Sequence, residues 1–187
     1  TRSMIRTVLV ALAAIGCGLA MWPGEAWAAA CNRTIKADVV ALDQPLMFNR
    51  LGAQNVNGAM FALRRDVVDK GSGLPLGVGG TAVPGQVKLR EDKRPRPLVL
   101  RAAAGDCLVV NFQNLLAPVA NPNNAANPLM QVDDQVTDRH ASFHVTGMQL
   151  LSSVMDDGSF VGLNASSVVA PGGTATYQLY AEREGAF

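Results

Sequence analysis

Beyond its first 28 residues, no stretch of this chain reads as a long amphipathic helix. The apolar residues come in short runs, several alternating with polar ones, and Gly and Pro break them up. A chain patterned this way buries its apolar side chains by building sheets, and short strands with frequent turn residues point to an all-β sandwich. The clearest alternation is 34–42, where Ile35, Ala37, Val39 and Ala41 share one face. Further strands are expected over 60–63, 97–102, 107–112, 141–146 and 174–179. Gly105-Asp106 and Pro171-Gly172-Gly173 supply turns. The stretch 71–85, rich in Gly and Pro, is expected as an irregular loop, 88–96 as a charged, solvated approach to the next strand, and 117–127 as another loop.

The first 28 residues are different in kind. Arg2 and Arg6 precede an apolar stretch over 8–20, and Ala26-Trp27-Ala28 has the small-x-small pattern of a signal-peptidase site. The apolar run falls short of the roughly 20 residues a membrane-spanning helix needs, and Pro23-Gly24-Glu25 ends it. Residues 1–28 therefore read as a cleavable secretory signal peptide. This places the chain in the periplasm, outside the cell or at its surface, with no transmembrane span after cleavage. Leu12-Ala13-Ala14-Ile15-Gly16-Cys17 faintly resembles a lipoprotein cleavage site but lacks the usual Leu three residues before the Cys. Thr1-Arg2-Ser3 stand before Met4, and the chain stops soon after its last strand signal, so both ends read as cuts in a longer sequence.

Losing the leader removes Arg2, Arg6 and Glu25, which turns a net charge of +1 into zero. A balanced chain has no basic footprint, so a nucleic-acid partner is not expected. Both Trp residues leave with the signal, as does Cys17. Cys31 and Cys107 remain. Two cysteines in an exported chain suggest a disulfide. Two free thiols or a metal pair are the alternatives, and neither a CxxC nor a flanking His supports the metal.

Catalytic chemistry is sparse. The chain has two His, His140 and His144. On a strand they would share a face with Ser142 and Thr146, but about 13 Å apart, too far for one straight strand to bring both onto one ion. There is no nucleophile elbow, no HExxH and no phosphate-binding glycine loop. Asp133-Asp134 and Asp156-Asp157 are acidic pairs among turn residues, and Asp157-Gly158 suits a turn better than a calcium site. The five Met beyond the leader are scattered and are expected to pack the core.

The order of the motifs is more specific than any one of them. The segment from Val99 through Gly105-Asp106-Cys107 to Asn114-Leu115 resembles the strand–GD–strand–NL opening of the first cupredoxin domain of a multicopper oxidase. Ser142-Phe143-His144-Val145-Thr146-Gly147 resembles that family's S-I-H-W-H-G segment. Asp157-Gly158 resembles its D-G, and the stretch from Val169 through Pro171-Gly172 to Tyr177 resembles its I-x-P-G-x-x-x-x-Y. The resemblance covers 99–187 and leaves 31–98 without a clear counterpart. It implies a Greek-key cupredoxin barrel, with 29–98 forming its first strands and long loop and 99–187 the remainder.

It also implies copper, held between this domain and further cupredoxin domains of the same chain. By position, His144 takes the place of the first His of H-W-H, a type-2 copper ligand. The second place falls on Thr146, which cannot replace an imidazole. His144 is then either a retained ligand completed by residues elsewhere or a leftover in a domain that has become a scaffold, and the Thr146 departure favours the scaffold. His140 is expected as a surface residue rather than a ligand. The whole protein would oxidise a small substrate or a metal ion at the expense of dioxygen, and this piece alone would be inactive. A periplasmic copper carrier and a structural sandwich domain for partner contacts are the alternatives.

Overall fold

The computed structural model describes residues 30–119, 138–159 and 162–186. Among them there is no α-helix. Nine strands form: β1 (Thr34–Asp43), β2 (Leu46–Met47), β3 (Gln54–Asn55), β4 (Ala59–Leu63), β5 (Val67–Asp69), β6 (Val87–Leu89), β7 (Cys107–Asn114), β8 (Gln149–Leu150) and β9 (Thr174–Tyr180). Two 3-10 turns, Arg64–Asp66 and Val154–Asp156, accompany them. The all-β expectation holds. Residues 1–28, expected as a signal peptide, and the acidic pair Asp133-Asp134 lie outside the described residues, as does the expected loop beyond residue 119.

The main sheet has the order β4-β1-β7-β9-β8, and two ribbons, β2–β3 and β5–β6, stand beside it. β1 runs parallel to β7, with Val39 opposite Phe112, while the other neighbours are antiparallel. A parallel neighbour cannot be reached by a hairpin. Between the two the chain builds β2 to β6, of which β4 joins the sheet on the far side of β1, and it returns to the end where β1 began.

Strand alternation decides where the core lies. Val39 and Ala41 of β1 pack with Leu108, Val110 and Phe112 of β7 and with Tyr177 and Leu179 of β9. Val40 and Leu42 point the other way and meet Val67, Leu76 and Val87 of the β5–β6 ribbon and its loop. Both faces of β1 are therefore covered, which is why four consecutive residues, Val39 to Leu42, are each at most 2 % exposed.

Two expected strands do not form ladders. Over 97–102 the chain is extended but unpaired. Leu98 and Leu100 pack on the core while Val99 is 72 % exposed, so the alternation is real. Pro95 and Pro97 have no N–H to donate, which keeps this stretch off the sheet. Over 141–146 only Ala141 makes a bridge, with Val169. Ala141, Phe143 and Val145 turn inward onto the core. The loop over 71–85 is mostly turns, with isolated bridges at Pro75, Leu76 and Gly80.

Cys31 and Cys107 form the disulfide, closing 76 positions with their Cα atoms 5.3 Å apart. In the chain-entropy account a loop of that size stabilises by about 4–5 kcal/mol. It fastens the segment before β1 to the first residue of β7. The preceding turn is tight: Gly105 has φ +87°, and a Cβ there would lie 2.2 Å from Nδ2 of the Asn32 side chain. Asp106, 4 % exposed, accepts from the Ala103 amide and from Arg33. The Arg33 guanidinium, with the Ala103 amide, holds this carboxyl below the usual carboxylate range.

Candidate functional site

His144 stands on the extended segment whose alternate residues Phe143 and Val145 face the core, so its ring faces outward and is about half exposed. What holds that ring comes from a different part of the chain. The 3-10 turn Val154–Asp156 is closed by a reciprocal cap between Ser153 and Asp156. Asp156 is 4 % exposed. Its carboxylate accepts from the Ser152 amide and hydroxyl, the Ser153 amide and the Gln178 amide on β9. Burial works against its ionisation, but these donors, the Ser152 hydroxyl foremost, outweigh it and keep the carboxyl below its ordinary range.

The next residue, Asp157, is thereby fixed beside His144. Its carboxylate accepts from the Ser159 amide at 3.0 Å, the Ser159 hydroxyl at 2.8 Å and His144 Nδ1 at 2.5 Å. The Ser159 amide contributes most to lowering its pKa, with the Ser159 hydroxyl and His144 adding to it against the cost of burial. Gly158 makes the approach possible. A Cβ at 158 would sit 2.2 Å from the Phe143 carbonyl oxygen, a backbone atom with nowhere to go. The Asp-Gly pair is thus a close backbone contact as well as a bend: glycine lets the loop lie on Phe143, and that places the carboxylate on the adjacent histidine.

The consequence for His144 is a defined tautomer. In the neutral ring, Nδ1–H given to Asp157 leaves the lone pair on Nε2. Thr146 Oγ1 lies 3.3 Å from Nε2, within reach to donate its hydroxyl. An imidazole held this way can ligate a metal or accept a proton.

His140 is placed differently. Its Nδ1 is 2.6 Å from Asp138 Oδ1, which also accepts from the His140 amide, and both side chains are exposed. That amide is the main influence holding the Asp138 carboxyl low. Asn57, Met60, Asp138, His140 and Ala141 border a cleft of about 270 Å³. The two His are therefore engaged by different carboxylates, Asp138 and Asp157. Among the described residues, no three of His, Cys, Asp and Glu gather into a group that would hold a metal ion. Copper, as the resemblance implies it, finds here one oriented nitrogen donor. A threonine hydroxyl stands where the pattern has its second imidazole, and the two cysteines are spent on the disulfide. Within the described residues the copper ligand set is incomplete.

Several polar residues that carry this region give little sign of it in the sequence. Asn114, fully buried at the end of β7, donates to the carbonyls of Arg139 and Val169 and accepts from the Leu116 amide. Its backbone bonds to Gly172 and Gly173. Arg139, 7 % exposed, donates to the Ala117 carbonyl and pairs with Asp43 at the end of β1. Tyr177 is buried with its hydroxyl on the Ser167 carbonyl, and burial raises its pKa. Of the methionines, Met60 and Met148 pack against the core as expected. Met47 and Met155 do not; they are 71 % and 41 % exposed.

No known protein family matches the chain, and neither does any curated protein.

Proposed function

We propose that the chain is an exported cupredoxin-like domain of a multicopper-oxidase-like protein, serving as a scaffold with an incomplete copper position at His144. One observation carries the reading: the segments that resemble the family's motifs bond to one another. The NL asparagine, Asn114, ties to Val169 and to the Pro171-Gly172 turn through its side chain and backbone. The DG pair seats against Phe143 and His144. The GD turn feeds β7, which pairs with the Tyr177 strand. The parallel β1–β7 pair also suits a sandwich whose chain crosses between layers.

In the whole protein, copper supplied with ligands from further cupredoxin domains would take electrons from a small substrate or a metal ion and pass them to dioxygen. This domain's own part is to hold its segment of the interface rigid and to present one imidazole with Nε2 outward. Cu(II) titration of the full chain, followed by electron paramagnetic resonance and oxygen uptake, tests this. Weak binding that His144→Ala removes is expected. Thr146→His is expected to tighten binding by at least about tenfold, since a second imidazole joins the first. Copper-dependent oxygen consumption by this chain alone, or a Thr146→His affinity equal to the parent's, would overturn the reading.

A further inference from the structure

We propose that the groove between the β2–β3 hairpin and the segment around Arg96 binds a small amphipathic carboxylate, a free medium-chain fatty acid being the simplest example. The proposal stands apart from the copper reading. The groove encloses about 600 Å³, inside the range of small-molecule sites, about 300–1,000 Å³. Its floor is rigid. Phe61 packs edge-on to Phe112 at 5.6 Å and lies 6.3 Å from Phe143, so the floor belongs to the core itself.

One rim is the hairpin carrying Met47 and Phe48, which are 71 % and 69 % exposed. They are not loosely held. Phe48 donates to the Ala53 carbonyl, and the Asn49 side chain caps the amides of Leu51 and Ala53. A built turn that holds large apolar side chains in water beside a concave apolar floor leaves surface a ligand's chain would cover, at about 25 cal/mol per Å².

The opposite rim sets the charge. Among the described residues, Arg96 is the one charged residue lining the groove, and none lining it is acidic. The neighbouring charges are already satisfied: Asp92 by Arg90 and Lys93 by Asp66. Arg96 and Arg94 have no hydrogen bond or ion pair with any described residue. Each precedes a proline, which holds its backbone extended rather than helical. A carboxylate head on the Arg96 guanidinium, with its chain along Phe61 and Met60, matches both rims. A cationic amphiphile would meet an arginine and no counter-charge.

Calorimetric titration of the full chain with decanoate below its micellar range tests this, with decyltrimethylammonium as the opposite-charge arm. Saturable one-to-one binding of decanoate is expected, weakened at least about tenfold by Arg96→Glu and by Ala59→Trp, which fills the groove from β4. Both variants should melt as the parent does, and because Arg96 is exposed, its variant alone keeps the test decisive. No saturable binding, equal binding of the cation, or full decanoate affinity in Arg96→Glu would overturn the proposal.

Discussion

Replacing Asn114 with Ala should be among the most costly single changes in the described structure. The Asn114 side chain makes three bonds, to the Arg139 carbonyl at 2.8 Å, the Val169 carbonyl at 2.8 Å and the Leu116 amide at 3.0 Å. The Val169 carbonyl keeps a second partner, the Ala141 amide. The other two have no second partner among the described residues, and Leu116 and Arg139 are only 5 % and 7 % exposed. Two backbone groups left unpaired away from water cost about 1–3 kcal/mol each, so the substitution should destabilise by about 4 kcal/mol. That is a large part of the 5–15 kcal/mol typical of a folded domain. In urea, with a slope of about 2 kcal/mol per molar, the midpoint should fall by about 2 M. Asn111→Ala is the control. That residue bonds Asp38 on the exposed surface of the same strand, and its loss should cost about 0.5 kcal/mol or less. A loss below about 1 kcal/mol for Asn114→Ala, with the disulfide intact and the slope unchanged, would refute the idea that this amide joins the three segments.

Two further outcomes follow from the geometry. Gly158→Ala sets a Cβ against the Phe143 backbone; the loop must lift, and the variant should lose about 1–3 kcal/mol of stability in urea denaturation, whereas an unchanged midpoint would count against the close contact. Asp106, Asp156 and Asp157 have pKa values lowered in the fold, below about 3.9 in the unfolded chain. Their contribution to stability is therefore complete above that value and is lost as pH falls through the folded pKa values. Denaturation measured from pH 5 downward should show a loss of stability that is shallower in Asp156→Asn; an acid limb identical to the parent's would count against Asp156 as a source of it.

The strand pattern was legible wherever one face meets the core and the other meets water. The alternation of 34–42 marked β1, and the apolar run from Cys107 marked β7. It misled over 97–102 and 141–146 for one reason. Alternation reports which side chains face the core, whereas a ladder also needs a partner with free N–H and C=O groups at the right spacing. Leu98, Leu100, Phe143 and Val145 reach the core from extended chain that has none over most of its length. Cys31 and Cys107 foretold their bridge because they are the two cysteines beyond the first 28 residues, with neither a CxxC nor a flanking His to suggest a metal.

The candidate site was half legible. His144 and the Asp157-Gly158 pair each drew notice from residue type, yet nothing local says that residues thirteen positions apart touch. The amino-acid sequence by itself determined the all-β class, the main strands and the residues able to carry chemistry, because period, turn chemistry and residue type are local properties. Only the tertiary structure decided that Asp157 orients His144, that Asn114 joins three segments and that Arg96 stands unpaired at an apolar groove. Those are facts about distance, burial and competing partners, which exist only once segments far apart in the chain are packed together.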